Sequence, residues 1–309
     1  MEVYFGLNEY TAVPNAVVTT GTFDGVHIGH QTIIDRLSEL AQKHKGETVL
    51  ITFHPHPRMV LHPDDHGLQL LNTQEEKIER LAKAGIDHLV ILTFTKDFSR
   101  QTSLEYVRNI LVNAIGTSKL VIGYNHHFGR NREGSFEHLK EYGPVYGFDV
   151  EEIPAQDIDH VNVSSTKIRN ALLEGDVETA NTYLDYPYQL VGEVIEGHRK
   201  GREIGFPTAN LQVGESTKLI PGNGVYAVRV ALEGQILKGM LNIGVRPTVS
   251  DALDRSIEVH LFDFEGDLYD KKLKVWLIQR LRDEKAFSSM EDLKTQLQQD
   301  QKKALDLLS

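Results

Sequence analysis

The chain has 309 residues, of which 40% are hydrophobic and 25% are charged, and its formal net charge is −11. This length accommodates two domains of ordinary size, and the acidic balance argues against a broad nucleic-acid-binding face. The absence of cysteine excludes disulfides, thiolate metal sites and a cysteine nucleophile. Neither a signal-peptide pattern nor an apolar run of membrane-spanning length is present, so we expect a cytoplasmic protein.

The first half of the chain alternates apolar strands with amphipathic helices. Strands are predicted at 16–19, 48–53, 88–94 and 119–124, and helices are predicted from about 30, from 73 to 84 and from 103 to 115. This alternation predicts βαβ units and a doubly wound parallel sheet. Ligands of such sheets bind outside the carboxyl ends of the strands. We therefore expect a site built from the segments that follow Gly21, Phe53 and Tyr124.

The segment VVTTGTFDGVHIGH, residues 17–30, carries the strongest functional pattern of this half. It runs from a buried strand through a glycine turn into the start of a helix. Free backbone N–H groups and the helix dipole face an anion at such a point, and two histidines there can donate hydrogen bonds to phosphate oxygens. The alternative is a surface histidine pair beside an ordinary turn. The candidate residues are Gly21, Phe23, Asp24, Gly25, His27 and His30.

Two later segments of this half are also candidates for binding an anion. The glycine-rich loop 123–135 contains Arg130 and Arg132, which either clamp phosphate or are solvated loop cations. The segment SSTKIR, residues 164–169, opens another helix with hydroxyls and two cations. Its hydroxyls either cap the helix alone or form a second anion site with the cations.

The second half changes character, and its elements favour an antiparallel barrel or sandwich. Short strands are predicted at 189–195, 224–231, 236–243, 257–264 and 272–277. The domain boundary is predicted after residue 185, which gives domains at 1–185 and 186–309. The tail, residues 289–308, has helical spacing interrupted by a polar QQDQKK stretch, and we expect it to pack on the β domain.

Two clusters in this half suggest chemistry. The segment GHRKGREIGFPTANL, residues 197–211, is either a solvated hairpin or a phosphate-binding arch, in which Thr208 and Asn210 offer oxygen ligands for a hydrated Mg²⁺. No P-loop pattern is present, so any phosphate chemistry is of another type. In the strand 257–261, Glu258 and His260 share the face opposite the apolar residues. Glu258 is then either solvated or a general base at the mouth of a barrel.

The motifs, taken in order, resemble those of one family. GTFDGVHIGH, TFHPHP, the FGR loop and VSSTKIR resemble the adenylyltransferase motifs of the prokaryotic bifunctional riboflavin kinase/FMN adenylyltransferases, or FAD synthetases. GREIGFPTANL, PGNGVYAV, NIGVRPTV and IEVHLFDFEGDLY resemble the kinase motifs of that family. The resemblance implies a nucleotidyltransferase α/β domain followed by a small kinase barrel, with ATP and Mg²⁺ used in both.

The resemblance also implies roles for residues. In the first domain, His27 and His30 would face the ATP phosphates. The other implied phosphate-binding residues there are Gly21, Phe23, Asp24, Gly25, Ser164, Ser165, Thr166 and Arg169, and the implied flavin-binding residues are His56, Asn125 and Arg130. In the second domain, Glu258 would be the base for the flavin 5′-hydroxyl. Gly201 and Arg202 would contact ATP, and Thr208 and Asn210 would hold Mg²⁺.

The implied activity is the phosphorylation of riboflavin to FMN and the adenylylation of FMN to FAD, with no nucleic-acid or membrane partner. Three alternatives stay open from the residues alone. One is a nucleotidyltransferase of single function with a passive barrel, and another is a flavin-binding regulator without activity. The third is a class I aminoacyl-tRNA synthetase, because HIGH is a signature of that family. The acidic charge, the short chain and the lack of a KMSKS-like string disfavour this third alternative.

Overall fold

The computed structural model describes residues 1–63, 67–124, 126–154, 163–196, 205–246 and 254–309. These residues form two compact units, Met1–Ser165 and Thr166–Ser309. The predicted fold class is confirmed, because the first unit contains a parallel sheet with helices and the second contains a closed antiparallel barrel with a terminal helix. No helix in the described ranges is both long and apolar enough to span a membrane.

The first unit is built on a six-stranded sheet in the order β1-β4-β3-β2-β5-β6, and every pairing within it is parallel. Its strands are β1 (Glu2–Tyr4), β2 (Ala16–Thr20), β3 (Thr48–His54), β4 (His88–Thr93), β5 (Thr117–Gly123) and β6 (Asp149–Ile153). Successive residues of β2 pack into different cores: Val17 belongs to one apolar cluster and Val18 to another. Because successive side chains of a strand point to opposite faces, both faces of the sheet are covered.

The helices of this unit agree with the predicted ones and add others. They are α1 (Ile28–His44), α2 (Pro57–Leu61), α3 (Gln74–Lys83), α4 (Ser103–Tyr106), which continues as a π-helix over Val107–Ala114, and α5 (Phe136–Tyr146). A capping box begins α3, in which Thr73 and Glu76 exchange hydrogen bonds between side chain and backbone. Helix α5 was not predicted, and it contains Pro144.

The second unit begins within α6 (Ser165–Glu174) and continues with α7 (Val177–Leu184). Its strands are β7 (Gln189–Ile195), β8 (Ala209–Val213), β9 (Gly224–Leu232), β10 (Gln235–Arg246), β11 (Asp254–Leu261) and β12 (Lys272–Arg282). They close in the order β10-β11-β8-β7-β12-β9, with β9 paired to β10. The structure therefore selects the barrel over the sandwich.

The terminal helix α8 (Met290–Leu307) runs without a break through the polar QQDQKK stretch. Asp300 lies in that stretch and is buried. Arg282 of β12 compensates its charge by binding the carboxylate through Nε (2.9 and 3.1 Å) and Nη2 (2.8 Å). Ala304 and Leu308 enter an apolar cluster with barrel residues. The helix packs on the barrel, as predicted.

Candidate active sites

The parallel sheet reverses its direction of growth between β2 and β5. From β2 the chain adds β3 and β4 on one side, and then returns to add β5 and β6 on the other. In open α/β sheets, ligands bind in the crevice that such a reversal leaves at the carboxyl ends of the two central strands. Parallel strands end at the same edge, so the segments after β2, β3 and β5 all begin there, as predicted from the sequence.

The turn between β2 and α1 holds side chains in the left-handed region of backbone conformation. Phe23 has φ +47° and Val26 has φ +40°, while Gly25 at φ +90° adopts its conformation without strain. A β-branched residue such as valine rarely takes a positive φ. Such strain costs about 1–3 kcal/mol per residue and persists where the surroundings fix it, most often at functional sites. The turn is therefore held by its neighbours rather than by its own preference.

Hydrogen bonds from four surrounding segments fix this turn. The carbonyl oxygen of Thr22 accepts from Thr52 Oγ1 (3.2 Å) and from Lys77 Nζ (2.8 Å). The carboxylate of Asp24 is 2% exposed and accepts the backbone N–H of the segment before α3 (3.0 Å), while its carbonyl accepts from Ser165 Oγ (2.9 Å). Asp24 thus stabilises the turn through these hydrogen bonds, and its predicted contact with phosphate stays a prediction.

The two histidines of the HIGH motif stack on each other at the start of α1. Their ring centroids are 3.7 Å apart with an interplanar angle of 16°. His27 is the N-cap residue, and its Nδ1 accepts the backbone N–H of His30 (3.4 Å). A side chain at Gly29 would put its Cβ 3.3 Å from the His27 ring and 3.2 Å from Val163. The glycine between the histidines therefore leaves room for the stacked rings.

His30 carries a buried ring nitrogen at the start of α1. Its Nδ1 is buried and has no hydrogen-bond partner among the described residues. Loss of water around the ring, together with the nearby His27 and Lys77, lowers the pKa of His30 well below its usual value. An arriving phosphate would supply the missing partner and favour the protonated ring, because a nearby negative charge raises the pKa of an imidazole.

The other predicted phosphate-binding residues lie as follows. The backbone N–H of Gly21 donates to Ile51 O (3.0 Å), and the Phe23 ring is buried against His30, with centroids 4.9 Å apart. Ser165 opens α6 and contacts the Asp24 carbonyl. Ser164 precedes that helix, and along it Thr166 is exposed and Arg169 is half-buried. The structure brings Ser165 to the histidine turn within the first unit.

An aromatic cluster at the same edge of the sheet was missed by sequence reasoning. Neighbouring rings in it have centroids 5.4–6.3 Å apart; its members are Phe53, Phe94, Phe98, Tyr106 and Phe128. The Tyr106 hydroxyl lies 2.9 Å from Thr20 Oγ1 at the end of β2, and burial raises the pKa of Tyr106 to about 12. The hydrogen bond to Thr20 therefore places Tyr106 of this cluster at the end of β2, just before the glycine turn begins.

The predicted flavin-binding residues lie in three different segments, and their role stays a prediction. His56 is the N-cap of α2, where its Nδ1 accepts the backbone N–H of Arg58 (3.2 Å). Arg130 has an exposed guanidinium 4.0 Å from Glu133, and its backbone N–H donates to Gln101 O (2.7 Å). Asn125 lies outside the described residues.

His126 follows Asn125 and stacks on Phe128 of the aromatic cluster, with ring centroids 5.9 Å apart. Burial, with the nearby His127 and Arg132, lowers the pKa of His126 to about 4. The folded protein thus keeps His126 neutral at a pH where the unfolded chain protonates it. We expect the contribution of His126 to the free energy of unfolding to be fully present above about pH 6.5 and to be lost as the pH falls toward 4.

His126→Phe keeps the ring contact and removes the titration. We expect the free energy of unfolding of the variant, relative to that of the parent, to rise by about 2 kcal/mol from pH 7 to pH 5. Thermal unfolding at the two pH values measures this shift. The exposed neighbour His127, changed to Phe, is the control. Equal shifts for the two variants would contradict the assignment.

The barrel brings together three of the residues predicted for its chemistry. Glu258 of β11 is the direct cross-strand partner of Asn210 of β8. The Thr208 hydroxyl, just before β8, donates to Glu258 Oε2 at 3.5 Å. A carboxylate, an amide and a hydroxyl therefore meet on one face of the barrel. Two other predicted residues, Gly201 and Arg202, lie outside the described residues.

The surroundings of His260 differ from the polar strand face that the sequence predicts. It is 7% exposed, and its ring lies against Phe206 and Phe262, with centroids 5.2 and 5.7 Å away. Its Nδ1 is 2.7 Å from the carbonyl oxygen of Pro207, the residue before Thr208. Burial lowers the pKa of His260, which leaves the neutral ring to donate to that carbonyl.

Comparisons with known proteins support the division of the chain into two parts. A family model described as FAD synthetase matches residues 10–167, and one described as riboflavin kinase matches residues 184–308. A bifunctional riboflavin kinase/FMN adenylyltransferase from Pseudomonas fluorescens is 39% identical over 92% of this chain and 90% of its own length. One from Listeria monocytogenes is 38% identical over 95% of this chain and 92% of its own length.

A solved structure shares the fold over nearly the whole chain. It is described as the crystal structure of a macrolide-efflux protein from Streptococcus pneumoniae, is 30% identical and covers 97% of both chains with a TM-score of 0.87. That description applies to the Streptococcus protein.

Proposed function

The chain belongs to the family of bifunctional riboflavin kinase/FMN adenylyltransferases, which make FMN and FAD, and we propose that its two units divide the reactions as its two sites suggest. The barrel phosphorylates riboflavin, and the parallel-sheet unit transfers the adenylyl group to FMN. The observation that carries the kinase assignment is the pairing of Glu258 with Asn210 across β11 and β8. For the transferase, it is the stacked histidine pair on a fixed turn at the sheet reversal.

In the kinase reaction, Glu258 accepts the proton of the riboflavin 5′-hydroxyl. The hydroxyl oxygen bonds to the γ-phosphorus of ATP as the bond to the β-phosphate oxygen breaks, which leaves ADP. A hydroxyl is a poor nucleophile until its proton is removed, so this step needs a base near the acceptor.

The kinase site also fits Mg²⁺. The Thr208 hydroxyl and the Asn210 amide oxygen are hard oxygen ligands, and Mg²⁺ is commonly held by few protein oxygens together with phosphates. Thr208 and Asn210 would hold the ion, which supplies charge neutralisation at the transferred phosphoryl group when bound.

In the transferase reaction, an FMN phosphate oxygen attacks the α-phosphorus of a second ATP, and pyrophosphate leaves. The nucleophile is already an anion, so the step needs positioning and charge stabilisation rather than a base. His27, His30 and the start of α1 provide donors for the ATP phosphates, and Ser164 and Ser165 act with them. The aromatic cluster provides a stacking wall for the isoalloxazine ring of FMN.

One experiment tests the whole proposal. The protein is incubated with riboflavin, ATP and Mg²⁺, and the flavins are separated by chromatography over time. We expect FMN to appear first and FAD to follow. FMN without FAD would contradict the transferase assignment. Riboflavin left unchanged would contradict the kinase assignment, and FMN supplied directly would then test the transferase. Because ATP is held inside cells, we also propose the cytoplasm as the compartment of both reactions.

Helices α6 and α7 contact the barrel, so they affect which residue an independently folding kinase fragment must start from. Asn181 of α7 donates to Leu277 O (2.9 Å) and accepts from the backbone N–H of Tyr188 (2.7 Å). The backbone N–H of Gly222 donates to Leu172 O of α6 (2.8 Å). The boundary predicted after residue 185 would cut these contacts, and it stays a prediction.

We expect fragments 166–309 and 186–309 both to convert riboflavin to FMN and to stop there. The shorter fragment leaves several backbone partners of the helices unpaired, at about 1 kcal/mol each. It should therefore unfold at a lower temperature. Thermal unfolding and a flavin assay on both fragments measure this. A folded but inactive 166–309 would contradict an independent kinase, and equal unfolding temperatures would contradict the role of the two helices.

A further inference from the structure

We propose that Lys77 is a positioning residue for adenylyl transfer: its buried ammonium group holds the turn that presents His27 and His30. Neither the motifs nor the family resemblance points to this residue. The inference rests on the proposed role of the histidine pair. It adds to that role the part of the chain that keeps the pair in place.

The first observation is the burial of Lys77. The residue is 6% exposed, although it lies on α3, which carries several charged side chains that face solvent. Lysine is almost never buried this completely unless it is paired, because removing an ammonium group from water is unfavourable. The capping box and the bond from Lys77 N to Thr73 O (3.0 Å) fix this end of the helix. The side chain is thus directed inward by a well-defined helix start.

The second observation is the contact that Lys77 makes there. Its Nζ donates to the carbonyl oxygen of Thr22 at 2.8 Å. That carbonyl belongs to the peptide bond that leads into Phe23, whose φ is +47°. The bond therefore acts on the strained part of the turn, where an outside constraint is needed. The Thr52 hydroxyl, at 3.2 Å, is a longer and uncharged second donor to the same oxygen.

The third observation is the charge balance around the turn. Burial lowers the pKa of Lys77, while the carboxylate of Asp24 opposes that shift. The Asp24 side chain is buried in the same turn and binds the segment that leads into α3. Lys77 and Asp24 therefore place opposite charges where the turn meets α3. The Lys77 ammonium group donates to a backbone carbonyl of the turn, and the Asp24 carboxylate accepts a backbone N–H of the segment before α3. The positive charge of Lys77 is also felt at His30.

These contacts connect α3 to the histidines through the backbone. Thr22 precedes the strained residues Phe23 and Val26, and His27 follows directly as the N-cap of α1. A shift of the turn would move the His27 ring, and with it the ring of His30 stacked 3.7 Å away. Displacing a catalytic group by about 1 Å can reduce a rate by about 10²-fold. Lys77 thus influences the reaction without contacting the reacting atoms.

The test compares Lys77→Met with Lys83→Met. Met keeps an unbranched apolar stem and removes the donor. Lys83 is exposed at the end of the same helix and forms a surface ion pair with Glu79 (2.8 Å). We expect Lys77→Met to lower kcat for FAD formation from FMN by about 10- to 100-fold with less change in KM for ATP. Kinase activity of the same protein should stay at the parental value, and Lys83→Met should match the parent in both reactions.

A second readout separates positioning from a general effect on the fold. Imidazole NMR signals of the substrate-free protein should shift for His27 and His30 in Lys77→Met and stay in place in Lys83→Met. Lys77→Arg keeps a charged donor and should restore both the signals and most of the rate. If Lys77→Met fails to fold, Lys77→Arg provides the test. A folded Arg variant that keeps the parental histidine signals but has no measurable FAD formation would overturn the inference.

His30→Ala, assayed beside these variants, keeps the two proposals apart. If His30→Ala forms FAD at the parental rate, the proposed role of the histidines fails. If His30→Ala loses transfer while Lys77→Met keeps the parental kcat and histidine signals, the role of the histidines stands and only the inference about Lys77 is overturned.

Discussion

Glu258→Gln should slow riboflavin phosphorylation by about 10²–10⁴-fold, which is the usual contribution of a general base. Gln keeps the shape of the side chain and its contact with Thr208, and it keeps the strand pairing with Asn210. It removes only the ability to accept a proton from the flavin 5′-hydroxyl. Initial rates of FMN formation, followed by chromatography, measure the loss. FMN supplied directly should become FAD at an unchanged rate.

The matched control is Glu193→Gln, because Glu193 is an exposed glutamate on barrel strand β7. That variant should phosphorylate riboflavin like the parent. A loss of both activities in Glu258→Gln would show that the change acts through folding. An unchanged kinase rate would leave Glu258 as a solvated strand residue, which is the alternative that its sequence pattern allows.

His30→Ala should reduce FAD formation from FMN by about 10²–10³-fold, the usual loss when one donor to developing charge is removed. The structure gives the reason: His30 has a buried Nδ1 without a partner among the described residues and stacks on the N-cap histidine. Kinase activity should stay near the parental value, because Glu258 and its partners lie in the other compact unit. Separate assays with FMN and with riboflavin measure the two effects in one protein.

His44→Ala is the control for this variant, since His44 is an exposed residue in the last turn of the same helix. It should leave both reactions unchanged. FAD formation at the parental rate in His30→Ala would remove the histidine pair from the proposed reaction, whatever the other variants do.

Much of the fold could be predicted because local patterns and tertiary structure agree. The apolar run of β2 is buried on both faces of the sheet, and the glycine turn after it leads into α1 as its spacing predicts. In the barrel, the alternation of β11 puts Glu258 on the face that Asn210 shares. The edge strands β1 and β6 were missed, since one has three residues and the other is mostly acidic.

The missed parts of the site depend on contacts between distant segments. In the sequence, Lys77 stands in a charged run and is indistinguishable from a surface lysine; only the tertiary contact with Thr22 shows its burial. The aromatic cluster joins Phe53 to Phe128 across several elements, so no local spacing indicates it. The same holds for Asp300, whose charge is compensated by Arg282, eighteen positions earlier.

The edges of the two sheets bear on how the protein behaves at high concentration. An exposed strand edge is a template for strand addition by another chain, and short or charged edge strands reduce that risk. Here β1 is three residues long, β6 carries Asp149, Glu151 and Glu152, and the described strands of the barrel close on themselves. The folded chain therefore offers little opportunity for aggregation through strand pairing, and partly unfolded chains are the forms to avoid in concentrated solution.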